Sequence, residues 1–182
     1  MPSAPQSVIN SLRFSSNLRW RATPAFGTPL NLLYSFVNAV PGAYASNAPE
    51  RNNFQPLTST QRQAVQRALA LISEVSGLNF TLNSPGYGHI NIGTNYQSSS
   101  GGWAYPPSYT SSLGGDVWLN NSTSTNTNPT SGSFGFETIQ HELGHAVGLN
   151  HPYGYGYSSV TDNRYTIMSY NRHPDYLWHP PT

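Results

Sequence analysis

The chain contains no cysteine and no lysine. Its eight basic residues are all arginine, set against seven acids, so the formal charge is +1 and charged residues make up 8% of the 182. Without cysteine there is no disulfide framework, no thiolate metal site and no cysteine nucleophile, which leaves histidine and carboxylate to carry any metal chemistry. So small a charge offers no field for attracting nucleic acid or an anionic membrane, and neither is expected as a partner. Long apolar runs are missing too. None approaches the roughly 18 residues of a membrane-spanning helix, and the first 20 residues lack the continuous apolar core of a secretory signal. Abundant Ser, Thr, Asn, Gly, Pro and Tyr with few charges resembles the composition of many exported proteins, so a secreted location is expected. The length suits one domain over 1–182, expected as a monomer.

What is present divides at Gly, Pro and Ser clusters. Residues 1–28 show no clear periodicity, with Ile9, Leu12, Leu18 and Trp20 as candidate anchors against a core. "NLLYSFV" (31–37) reads as a buried strand, being short, apolar and aromatic and ending near Pro41 and Gly42. Thr58, Ser59 and Thr60 offer N-cap oxygens to "QRQAVQRALALISEV", where Val65, Leu69, Ile72 and Val75 recur at helical spacing before a stop at Gly77. This predicts a helix over about 60–76. Four more short strands are predicted at "LNFTLN" (78–83), "HINIGT" (89–94), "WAY" (103–105) and "DVWLN" (116–120). "NSTSTNTNPTSGS" (121–133) is polar and of low complexity. It is expected as a surface loop leading to a second helix at about 134–147. No internal repeat or domain boundary is visible.

One stretch breaks the low-charge pattern. "HELGHAVGLNHP" (141–152) holds three of the six histidines and one of the four glutamates. On a helix, His141 and His145 are one turn apart on the same face and can aim two imidazoles at one metal ion. Glu142 projects beside them, placed to reach a water at the metal as a general base without ligating. Gly148 suits the left-handed turn that ends a helix, and such a turn would bring His151 in from another side. Three neutral imidazoles leave a fourth tetrahedral position open. Zinc suits this set best and lowers the pKa of a bound water to about 7. From this chain's own composition, a chance H-E-x-x-H-x-x-G-x-x-H is expected on the order of once in a hundred thousand such sequences.

With these residues the sequence resembles the metzincin metallopeptidases, whose extended zinc motif is matched at His141, Glu142, His145, Gly148 and His151. Their methionine turn is matched by "YTIMSY" (165–170), which implies Met168 as a soft apolar floor beneath the ligands. Within the metzincins, "GLNHP" and "IMSY" are most similar to the serralysin group, with proline after the third histidine and tyrosine two residues after the methionine. "LLYSF", "VSGLNFT", "WAYPP" and "GGDVWLN" extend the resemblance over most of 8–170.

The resemblance implies an α+β zincin-like fold: a mixed, twisted, five-stranded sheet with two main helices and a short C-terminal subdomain. The upper subdomain would span about 29–150 with the zinc helix, and the lower one 151–182 with the methionine turn. It implies a zinc-dependent endopeptidase acting on proteins or peptides, with Glu142 as general base. Tyr170 is implied as a further ligand of the resting metal that swings away to stabilise the oxyanion. Peptide substrate would lie antiparallel to an edge strand, making Trp103, Ala104 and Tyr105 candidate contacts. Neither the long C-terminal helix nor the C-terminal β-roll usual in the family is expected, since "RHPDYLWHPPT" carries three prolines and fits neither. An alternative is a catalytically silent binding or structural module stabilised by zinc, against which an intact Glu142 speaks. His89, His173 and His179 are read as surface or hydrogen-bonded histidines, and Asp116 and Asp162 as turn residues. Calcium binding is left open.

Overall fold

The computed structural model describes residues 6–14, 18–21, 28–152, 162, 163 and 165–171. Most of the expected lower subdomain lies outside the described residues, as do His173 and His179. Along the chain run α1 (Gln6–Ser11), β1 (Leu30–Phe36), a short 3-10 turn (Pro49–Arg51), α2 (Ser59–Val75), β2 (Leu78–Leu82) and β3 (Ile90–Asn95). They are followed by β4 (Gly102–Ala104), β5 (Val117–Asn120), α3 (Ser124–Thr127) and α4 (Phe134–Ala146). The strands form one sheet in the order β2-β1-β3-β5-β4. All neighbours pair in parallel except β4, which runs antiparallel to β5 at the edge. This is the mixed five-stranded sheet of an α+β fold.

The predicted elements form within a residue or two of their expected limits, for reasons visible locally. At the start of α2, Thr58 Oγ1 accepts from the Gln61 amide (3.3 Å) and Gln61 Oε1 accepts from the Thr58 amide (2.8 Å), a reciprocal capping box. The helix buries Ala64, Val65, Ala68 and Leu69 and half-buries Ile72, but its stripe runs out of core at Val75, which is 87% exposed. Ser133 caps α4 by accepting from the Phe136 amide at 3.2 Å.

Each face of the sheet has its own core. Ile90 and Ile92 from β3, Val117 and Leu119 from β5, and Leu32 and Tyr34 from β1 join α2 and α4 in one cluster. On the opposite face Trp118 packs with Val37 and Tyr44, and Phe54, Trp103 and Tyr105 close over them. A Cβ on Gly93 would stand 2.7 Å from the Trp118 ring, so this glycine makes room for the indole.

Two expectations are corrected. Residues 121–133 are not all surface loop: Ser124–Thr127 form α3, and Asn126 is buried because its Nδ2 donates to the carbonyls of Gly101 (2.6 Å) and Asn120 (3.0 Å). A polar sequence turns inward here because it satisfies backbone acceptors at the strand ends. In the N-terminal stretch, Trp20 does pack against the first core cluster, whereas Ile9 is exposed.

Candidate metal centre

The geometry begins with α4. His141 and His145 are buried one turn apart on it, and the chain then reverses. Gly148 adopts φ +109°, a left-handed backbone that favours glycine. Its amide donates to His145 O (3.0 Å), and the Leu149 amide donates to Gly144 O (2.9 Å). The reversal carries His151 back over the helix. Its Nε2 lies 3.0 Å from His141 Nε2 and 3.1 Å from His145 Nε2.

The opposite ring nitrogens fix what these atoms can do. His141 Nδ1 is 2.8 Å from the carbonyl of Ile167, and His145 Nδ1 is 2.8 Å from that of Leu149. A carbonyl can only accept, so both Nδ1 atoms carry the proton and both Nε2 atoms turn bare lone pairs inward. A proton on His151 Nε2 could serve only one of its two contacts. Burial, the largest cause, lowers the pKa of all three rings, to about 4 for His145 and His151, so they are neutral near pH 7. Tetrahedral nitrogens about 2.0–2.1 Å from zinc stand about 3.3 Å apart, close to the separations found here. The three histidines therefore fit a zinc ion, and the outer nitrogens of His141 and His145 hold the backbone support that metal-ligating histidines normally have.

Glu142 is buried on the same helix. Burial alone pushes its carboxyl up to about 8, with no hydrogen bond among the described residues to offset it, and a dication beside it would draw that value down. The edge strand lies directly against it: a Cβ on Gly102 would come within 2.9 Å of Glu142 Cγ. Met168 is completely buried under the helix, and a Cβ on Gly144 would stand 2.5 Å from its sulfur. The Tyr170 ring is 64% exposed, with its centroid 4.4 Å from the His151 ring and 5.5 Å from that of His141.

The predicted edge residues divide. Trp103 and Tyr105 point to the face opposite α4, where the Tyr105 hydroxyl donates to buried Glu50 Oε1 at 2.6 Å. Ala104 packs on the zinc-helix side. Tyr105 N donates to Asp116 O and Asn120 N to Gly101 O, both at 2.9 Å, so alternate residues 101, 103 and 105 face β5. The backbone groups of Gly102 and Ala104 consequently face the open edge, and Pro106, without an N–H, ends that series.

Sequence reasoning missed Gly102, Gly144, Glu50 and the two supporting carbonyls. For Gly102 a signal exists: a glycine entering a strand marks a close approach of another group. His89 Nδ1 accepts from the Leu33 amide at 2.9 Å, as a hydrogen-bonded histidine.

The sequence profile of metallo-peptidase family M12 matches residues 36–177, which takes in every residue of this site. The chain belongs to that family. Among similar proteins, metalloprotease AprA of Pseudomonas entomophila (strain L48) is 32% identical over 168 residues, covering 83% of this chain and 34% of its own length. Serralysin G of Dickeya chrysanthemi is 29% identical over 175 residues, covering 85% of this chain and 36% of its own length. The M12 chain thus spans about a third of the length of these relatives and is similar to them as a serralysin-like metzincin domain.

Proposed function

We propose that the chain is the catalytic domain of a zinc-dependent endopeptidase that hydrolyses peptide bonds in proteins. The observation carrying this reading is the convergence of three neutral imidazoles beside a buried carboxylate that lacks a hydrogen-bond partner among the described residues. Zinc held by His141, His145 and His151 would supply Lewis acidity toward the scissile carbonyl and toward a water molecule. Glu142 takes a proton from that water as it attacks, and then delivers the proton to the departing amine nitrogen. Poor solvation of Glu142 supports this role, because a carboxylate stripped of water binds a proton more readily. Tyr170, exposed and with its ring close to those of His141 and His151, is assigned to the resting metal and then to the carbonyl oxygen as it gains negative charge. Met168 serves as the apolar support under the helix.

A peptide lying antiparallel to β4 can pair with the outward backbone groups of Gly102 and Ala104, an instance of strand addition to an exposed edge. In this arrangement Ala104 makes the main-chain contacts, while Trp103 and Tyr105 shape the edge from the far face. No helix among the described residues is long and apolar enough to cross a membrane. An extracellular site of action, working as a monomer, completes the reading, and it rests on the composition.

The test combines metal analysis with cleavage of an unfolded protein. The native chain should bind one zinc and cut the substrate, and Glu142→Ala should keep the zinc and lose the cutting. A zinc-loaded native chain that cleaves nothing would sink the peptidase reading and leave a silent zinc-stabilised module. Tyr170→Phe should lower turnover far more than zinc content, and an unaltered rate would remove its oxyanion role.

A further inference from the structure

The loop that carries the third histidine is tied to a segment more than a hundred residues away. Helix α1 ends with Leu12 N donating to Ile9 O (3.3 Å) and Arg13 N donating to Asn10 O (3.4 Å), after which the chain runs alongside residues 149 and 150. Arg13 forms an antiparallel bridge with Leu149, and Leu12 O accepts from the Asn150 amide at 2.7 Å. The ring of Phe14 stands 6.2 Å from that of His145, tilted by 46°. Both bridged positions serve the metal centre directly: the Leu149 carbonyl holds His145 Nδ1, and Asn150 Oδ1 accepts from the amide of His151 at 2.8 Å. No described side chain of residues 6–14 belongs to either core cluster, and the segment lies outside the residues the family profile matches.

We infer that Leu12–Phe14 is a positioning strap for the metal loop, clamping the link between the second and third ligands so that His151 stays closed on His141 and His145. The physical reason is local. Beyond Val147, whose amide makes the last helical bond, to Leu143 O, the loop turns on a glycine, and the described backbone bonds donated by residues 148–150 are two turn bonds and the bond to Leu12. Opening of this loop withdraws a ligand, which is the first event in metal release, and the strap opposes that opening. The inference rests on the three-histidine zinc reading.

Its test follows zinc transfer to a chromogenic chelator, together with hydrogen exchange at the Asn150 amide. Removal of residues 1–14 should speed zinc release about 10-fold or more, within the range found for supporting groups around metal ligands, and should expose the Asn150 amide. The far-UV circular dichroism of the metal-free form should lose no more than the signal of the six-residue helix α1 itself, because α2, α4 and the sheet pack without the strap. Phe14→Ala, which keeps the whole chain, should speed release about 3-fold, the scale of one lost ring contact. An unchanged release rate in Phe14→Ala overturns the inference whether or not the shortened chain folds. If the native chain takes up no zinc, the site reading fails instead.

Discussion

The two faces of the sheet bury polar groups under opposite rules. On the α4 face, three imidazole nitrogens converge on each other and Glu142 has no hydrogen-bond partner among the described residues. On the other face a buried network is matched donor to acceptor. Asp116 Oδ1 accepts from Asn91 N (3.0 Å) and Nδ2 (2.8 Å), and its Oδ2 accepts from the Tyr44 hydroxyl (2.9 Å), which itself accepts from Trp118 Nε1 (2.9 Å). Tyr105 and Glu50 form a further buried pair. The contrast separates burial for structure from burial for chemistry: matched groups lock strands together, whereas unmatched ones at close range are tolerable only if something else is to be bound.

This contrast can be broken experimentally, and the largest effect should come from the unmatched side. Glu142→Ala should reduce cleavage about 10²–10⁴-fold, the usual share of a general acid–base group, while thermal stability stays nearly unchanged. Next comes the matched network. Asp116→Ala removes the acceptor of three donors, Asn91 N, Asn91 Nδ2 and the Tyr44 hydroxyl, and should lower stability by about 2–4 kcal/mol in denaturant titration, with bound zinc retained. A loss of zinc with little loss of stability would reverse the roles given to the two faces.

A pH effect of somewhat smaller size follows from the same carboxylate. Burial, the largest cause, raises the Asp116 pKa from 3.8 to about 6. A raised carboxyl pKa means the folded state holds the proton more tightly than the unfolded state does. The contribution of Asp116 is therefore most favourable below about pH 4, declines as the pH rises through about 6, and is flat above that, spanning about 2–3 kcal/mol. Comparing metal-free native protein with Asp116→Ala over pH 4–7 isolates the slope, and parallel curves would show that Asp116 does not titrate there. The smallest effect is expected for Tyr105→Phe, which leaves Glu50 without its phenolic donor and should cost about 1–2 kcal/mol. A rise in KM with little change in kcat would show that the pair also steadies the edge strand for substrate.

The histidine–glutamate constellation was legible because helical spacing converts directly into a shared face, and a glycine at 148 converts into a chain reversal. Helices α2 and α4 and the five strands were legible from caps and periodicity, whereas the short helices α1 and α3 were not. Period-two alternation also places Trp103 and Tyr105 on one face together, but not on which face. That depends on the pairing of Trp103 with Trp118 and on the room made by Gly93, both of which involve distant residues. Asn126 misled for a related reason: its polarity suits water as well as it suits two strand-end carbonyls, and only the strand ends beside it decide between them.

By itself, then, the sequence determined which side chains are candidates to hold a metal and to move a proton, and where the two long helices and the five strands lie, since these follow from chemistry and short-range periodicity. The tertiary structure alone decided the order of the strands, the carbonyls of Ile167 and Leu149 that meet His141 and His145, the glycine that admits Glu142 against the edge, and the contact of the N-terminal segment with residues 149 and 150. Each of these is a contact between residues far apart in the chain, and no local spacing encodes the partner of a backbone carbonyl, because every residue carries the same one.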